Sequence, residues 1–262
     1  MRRLLVPAAT AIVLVVGVLG TAGSVRAADV HGDDARDVYV GTGGLILPES
    51  VDTDARRRVA GCPGCSWRLT SVCVDPGLGA SFDGRGGCSG VVHGCPQDRQ
   101  LLRAWFRPPG QPWRSVDVVC LGEPVTVDRL GREVVTELEE GLPPLRPTVL
   151  PARSAVTQLP VVFASGQRAG PRTWTMTLSG RTVQVTALPD WTWTFGDGST
   201  STGPRALHVY GRAGSHPVSI VARWSATYVV DGLGPFDVPE LVVQSDRVDV
   251  AVGEGRAVLV PR

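Results

Sequence analysis

The sequence predicts an all-β protein: a C-terminal β-sandwich preceded by a small disulfide-rich, loop-rich module with one short helix. Three observations predict it. Short alternating apolar runs fill the chain beyond residue 150, and all six cysteines fall between residues 62 and 120. Helical spacing of apolar residues stands out over Gly131 to Glu140, where Leu130, Val134, Val135 and Leu138 recur.

Taken in order, Arg2 and Arg3 precede an apolar run from Leu4 to Gly20, and Val25-Arg26-Ala27 supplies the small or tolerated residues of a cleavage site. This predicts a secretory signal peptide over residues 1–27. The run is shorter than the ~20 residues that span a bilayer, and Pro7 with several glycines weakens it as a permanent anchor. The mature chain is therefore expected not to span a membrane unless that segment is retained.

Residues 28–58 begin with the polar run His31 to Asp37 and are expected to be a flexible N-terminal segment with one short strand. Gly41-Thr42-Gly43-Gly44 lacks the long preceding strand and following helix of a nucleotide loop, so it is read as a glycine turn.

Residues 59–145 form a cysteine-rich module with Cys62, Cys65, Cys73, Cys88, Cys95 and Cys120. Cys62-Pro63-Gly64-Cys65 has the spacing of a zinc knuckle, which Cys88 and Cys95 would complete with two further thiolates. Export favours disulfides, because an even number of cysteines in an oxidising compartment normally pairs. A redox Cys-x-x-Cys opens a helix after a strand, whereas Gly61, Pro63 and Gly64 point to a turn. Six paired cysteines allow about fifteen connectivities, and the spacing does not choose among them.

Gly141 to Pro147 and Pro151 then hold the chain extended and mark a boundary. Beyond it the runs at 161–163, 174–178, 182–187, 191–195, 218–228 and 247–252 fit a sandwich over residues 150–262. Trp191, Trp193 and Phe195 alternate with Thr192 and Thr194, so all three aromatics face one side of a strand and must be buried. Gly196-Asp197-Gly198 ends that strand in a tight turn. Residues 231–240 read as a long hairpin loop, the place where a private binding function would be built on a rigid sandwich.

This stretch resembles the PKD domain family, extracellular β-sandwiches of immunoglobulin-like shape. Its W-x-F-G-D-G is present as Trp193, Phe195, Gly196, Asp197 and Gly198, its H-x-Y as His208 and Tyr210, and its following glycine as Gly214. His216 stands where a tyrosine is usual, and Pro217 interrupts the next strand, so its missing N–H is expected to face solvent or to lie at a strand start. The resemblance implies structural roles for these residues and an exported bacterial protein that serves as spacer, adhesion unit or binding module. Fold alone does not imply function.

Composition narrows the function further. Every one of the 26 basic residues is arginine, so P-loop and Schiff-base chemistries that need a lysine amine are excluded. A formal charge of +1 makes no electrostatic case for nucleic acid. His93 is the one candidate base, with Ser89 or Cys88 as nucleophile, and neither Gly-x-Ser-x-Gly nor His-Glu-x-x-His frames it. Glu137, Glu139 and Glu140 read as a solvated helix face, and Asp190 and Asp197 as turn residues that accept hydrogen bonds rather than bind calcium.

Trp67, Trp105 and Trp113 offer a platform for sugars, against the commoner fate of core packing. The sequence thus predicts no catalytic residue, no cofactor and no metal, and a protein or polysaccharide of the cell surface as partner. The alternative is a small secreted enzyme or inhibitor in the cysteine-rich module, with the sandwich as its targeting unit.

Overall fold

The computed structural model describes residues 31–33, 38–72, 95–96, 98–152 and 154–255. The described residues begin with β1 (His31–Asp33), β2 (Val38–Thr42), α1 (Thr53–Ala60), β3 (Ser66–Ser71), β4 (Gln100–Arg107) and β5 (Arg114–Leu121). These five strands form one antiparallel sheet in the order β1-β2-β3-β4-β5. Trp67 and Leu69 of β3 and Leu102 and Ala104 of β4 alternate inward, and they meet Leu45, Leu47, Val51, Ala55 and Val59 in a small core. A Cβ at Gly41 would lie 2.2 Å from the Trp67 ring, so glycine there lets the indole lie flat on β2.

Much of the segment expected to be flexible is therefore ordered. Leu45, Ile46 and Leu47 are buried, and a second helix, α1, follows them. Asp52 caps α1 by accepting from the Ala55 amide at 3.0 Å. Arg56, Arg57 and Arg58 conceal this helix in the sequence by breaking its apolar pattern. Arg56 is itself buried, with Nε donating to the Leu47 carbonyl at 3.3 Å.

The next element, α2 (Val127–Gly141), starts four residues before the helical spacing does and is capped by the Thr126 hydroxyl at 3.2 Å from the Arg129 amide. Its buried residues Leu130, Gly131, Val134 and Leu138 make one stripe. That stripe packs into the core of the C-terminal half rather than into the sheet that precedes it.

The C-terminal half comprises β6 (Thr148–Leu150), β7 (Ala155–Val156), β8 (Pro160–Ala164), β9 (Arg172–Leu178), β10 (Arg181–Thr194), β11 (Thr200–Thr202), β12 (Arg205–Val209), β13 (Gly214–Val230), β14 (Leu233–Asp237) and β15 (Val242–Gly253). One sheet runs β11-β10-β13-β15-β7, with β9 also on β10 and β14 on β13. The other runs β12-β8-β6. Together they make the predicted sandwich, with strict inward alternation along β10 and β13.

The long strands outreach the small sheet. Phe163 of β8 covers one end, with its ring 5.7 Å from Trp193 and 5.1 Å from Phe195. Helix α2 covers the other end, where the Tyr228 hydroxyl donates to the Val127 carbonyl and the Ser179 hydroxyl donates to Glu133 at 2.7 Å. The linker is fastened too. Gln167 and Gln244 both donate to the Pro143 carbonyl, at 2.6 and 3.2 Å, and accept from the Trp191 and Trp224 indoles. One hydrophobic core thus runs across the expected boundary.

Residues 231–240 differ from the long loop expected of them. Asp231 and Gly232 have φ of 46° and 75°, the pattern of a two-residue hairpin turn, and β14 follows at once. The Arg56 guanidinium donates to the Asp231 carbonyl at 3.2 Å, and Gly131 of α2 abuts Pro239. This segment joins the two halves instead of projecting as a free binding loop.

Candidate functional site

Trp191, Trp193 and Phe195 are buried, at 4%, 0% and 1% exposure, so the indole-bearing face of β10 is the core of the sandwich. The chain then turns through Gly196, whose φ is +79° and whose added Cβ would stand 2.7 Å from the Pro217 carbonyl oxygen. Pro217 is the fourth residue of β13 and pairs with Asp249 of β15. On its other side the ladder to β10 ends at Ser219 opposite Thr194. Its nitrogen lies 2.9 Å from where a Gly196 Cβ would stand, past the end of the β10 ladder, so the missing N–H removes no ladder hydrogen bond to β10.

Asp197 locks this turn. One carboxylate oxygen accepts from the Ser199 amide at 3.0 Å and from the Ser199 hydroxyl, and the other meets His208 Nε2 at 2.8 Å. Partial burial alone would raise the Asp197 carboxyl, but the two Ser199 donors and His208 outweigh it and hold it at about 2.

The His208 ring lies flat on Phe195 at 4.2 Å and edge-on to Tyr210 at 4.5 Å, and His216 packs on Tyr210 at 4.4 Å in the place of the usual tyrosine. The Tyr210 hydroxyl donates to the Phe195 carbonyl at 3.3 Å, and burial, with the Asp197 charge, pushes it up to about 12.

Residues 155–225 match the family model of the PKD domain. The chain carries a PKD domain. No curated protein matches the chain. The match ends within β13, so β14, β15 and helix α2 lie outside the matched residues.

The PKD domain is a non-catalytic immunoglobulin-like module, and its Ser199, His208 and Asp197 show why these residue types need not be a triad. A triad histidine holds its carboxylate on one ring nitrogen and its nucleophile on the other. Here Asp197 and Ser199 both approach Nε2, at 2.8 and 3.5 Å, and the serine proton is directed to Asp197 instead. Asp190 faces outward on β10 opposite Arg223 and does not join Asp197. Among the described residues no cluster of three or more His, Cys, Asp or Glu side chains forms a metal site.

Cys62 and Cys65 are bridged to each other between α1 and β3, and Cys95 is bridged to Cys120 at the end of β5. The Cys-x-x-Cys therefore follows a helix rather than opening one. Cys73, Cys88, Ser89 and His93 lie outside the described residues.

The three tryptophans of the N-terminal sheet divide. Trp67 is in the core, whereas Trp105 and Trp113 stand on the opposite face, interleaved with guanidinium groups. Arg68 lies 4.9 Å from both rings, Arg103 5.8 Å from Trp105 and Arg107 4.6 Å from Trp113. Arginines are thus placed against both rings that an open sugar platform would present. The signal was present in the alternation of β3 and β4, where Arg68, Arg103, Trp105 and Arg107 occupy the period-two positions opposite the core.

Proposed function

We propose that this chain is an exported, non-catalytic protein of the cell envelope or extracellular space, whose PKD domain is a binding, spacer or adhesion module for a cell-surface protein or polysaccharide. The observation that carries the reading is the Asp197 lock: the domain's one Ser-His-Asp grouping is spent on fixing a turn. Two disulfides and the signal-like residues 1–27 support export. Among the described residues no helix is long and apolar enough to cross a membrane.

A binding role is supported by an apolar row on the small sheet. Leu150, Val162 and Leu207 stand side by side across β6, β8 and β12, at 61%, 37% and 65% exposure. The test uses oxidised protein lacking residues 1–27, sedimented with insoluble envelope material. Retention in the pellet, reduced in a Leu150→Ser/Leu207→Ser variant of unchanged melting temperature, supports the reading. Protein left in the supernatant with every envelope fraction, or turnover of an envelope substrate, overturns it.

A further inference from the structure

The face of the N-terminal sheet turned away from its core gathers arginine, tryptophan and hydroxyl side chains. Arg68 stands in one cross-strand row between Val40 on β2 and Trp105 on β4, and Ser66 with Arg107 makes the next pair. The side chains are fixed by one another. The Trp105 indole donates to the Thr70 hydroxyl at 3.0 Å, Arg103 donates to Ser115 at 3.0 Å and Arg107 donates to Ser66 at 3.4 Å. Arg68 lies against two indoles and Arg107 against one, which limits how far either guanidinium can move.

Neither Arg68 nor Arg107 has a carboxylate partner among the described residues, whereas Arg57, Arg129, Arg181 and Arg247 elsewhere each have one. The Arg68 Nε is buried and has no hydrogen-bond partner there. Two guanidinium groups without a carboxylate partner among the described residues, held beside indole rings, bind an anion with less of the entropy cost of immobilising flexible side chains.

We infer that this face binds an acidic polysaccharide, with Arg68 and Arg107 receiving its carboxylates and the surrounding hydroxyls its sugar hydroxyls. The inference rests on the binding role proposed above and names the ligand for the N-terminal sheet. Chemistry favours a glycan over an acidic peptide. Both β3 and β4 are interior strands, paired on each side, so the face offers no free backbone groups for strand addition. Thr42, Ser66, Thr70 and Ser115 give it the hydroxyl-rich rim that a polyol matches.

The experiment measures retention of oxidised full-length mature protein on immobilised polygalacturonate across a salt gradient. Arg107→Gln and Arg68→Lys are each expected to weaken retention about tenfold, the worth of a charge-assisted fork, at unchanged melting temperature. Arg68→Lys keeps the charge and removes only the planar fork. Arg212→Gln on the sandwich removes one charge and is expected to leave retention intact. If Arg68→Lys proves unstable, the exposed Arg107 decides alone.

Absence of retention overturns the inference, as does retention unaffected by Arg107→Gln, or lowered equally by Arg212→Gln. Equal retention on polyglutamate or on phosphatidylglycerol vesicles overturns the choice of a glycan. Loss of polygalacturonate binding with envelope sedimentation intact defeats this inference alone, whereas loss of both defeats the binding role beneath it.

Discussion

Two glycines of the same turn separate backbone strain from close approach. Gly196 and Gly198 have φ of +79° and +94°, but a Cβ at Gly196 meets Pro217 at 2.7 to 2.9 Å while a Cβ at Gly198 meets nothing within 4 Å. Alanine at either position costs about 1–2 kcal/mol for the left-handed conformation. Gly196→Ala adds a clash with backbone that β15 holds in register, and overpacking of that kind costs about 1–3 kcal/mol more.

At about 2–4 °C per kcal/mol for a chain of this size, Gly198→Ala lowers the melting temperature by about 2–8 °C and Gly196→Ala by about 4–20 °C. Thermal unfolding followed by near-ultraviolet circular dichroism reads both, because Trp193 and Phe195 sit beside the turn. Equal destabilisation by the two variants would refute the claim that β10 and β13 meet through Gly196 and Pro217.

The low Asp197 value carries a pH signature. A carboxyl at about 2 when folded and at 3.8 ordinarily contributes stability that is complete above pH ~4 and disappears as pH falls through 2. At 28% side-chain exposure, solvent screening brings the contribution to about 1 kcal/mol. Denaturant titrations at pH 5 and pH 2.5 should therefore show a steeper loss in the native protein than in Asp197→Asn.

Gln167→Ala leaves the Trp191 indole N–H without its 2.9 Å acceptor and is expected to cost about 1–3 kcal/mol in urea unfolding, with Trp191 fluorescence altered. The Cys95–Cys120 bridge spans 25 residues and the Cys62–Cys65 bridge 3, so serine pairs at the former should cost about 3 kcal/mol and at the latter about 2. Calorimetry of the two double variants tests that order.

The sandwich was legible because a period of two shows openly in Trp191, Trp193 and Phe195, and because Gly196-Asp197-Gly198 names its own turn. Helix α2 was legible for the same reason at its own period, although not the side it packs on, since an apolar stripe does not say which core receives it. Helix α1 was hidden by three arginines, one of them buried through hydrogen bonds to distant carbonyls. Asp231-Gly232 is a strong two-residue turn signal, but Gly234, Pro235, Asp237 and Pro239 that follow it carry loop signals of their own and disguise β14. The Gln167 and Gln244 links join residues 77 positions apart, and no local pattern announces such a pair. The arginine–tryptophan stack lay in plain alternation, but its pairing needed the register of three strands.

Helix α2 has a practical consequence for dissecting the molecule. A fragment starting at residue 150 would keep every strand from β7 onward and yet leave Tyr228 and the neighbouring apolar wall bare to water, because the lid over that wall is encoded upstream. Such a fragment is prone to self-association, and stickiness measured on it would report the wound rather than the native surface. Dissection should cut before β1, outside both sheets, or not at all, so that the donor of the lid travels with its recipient.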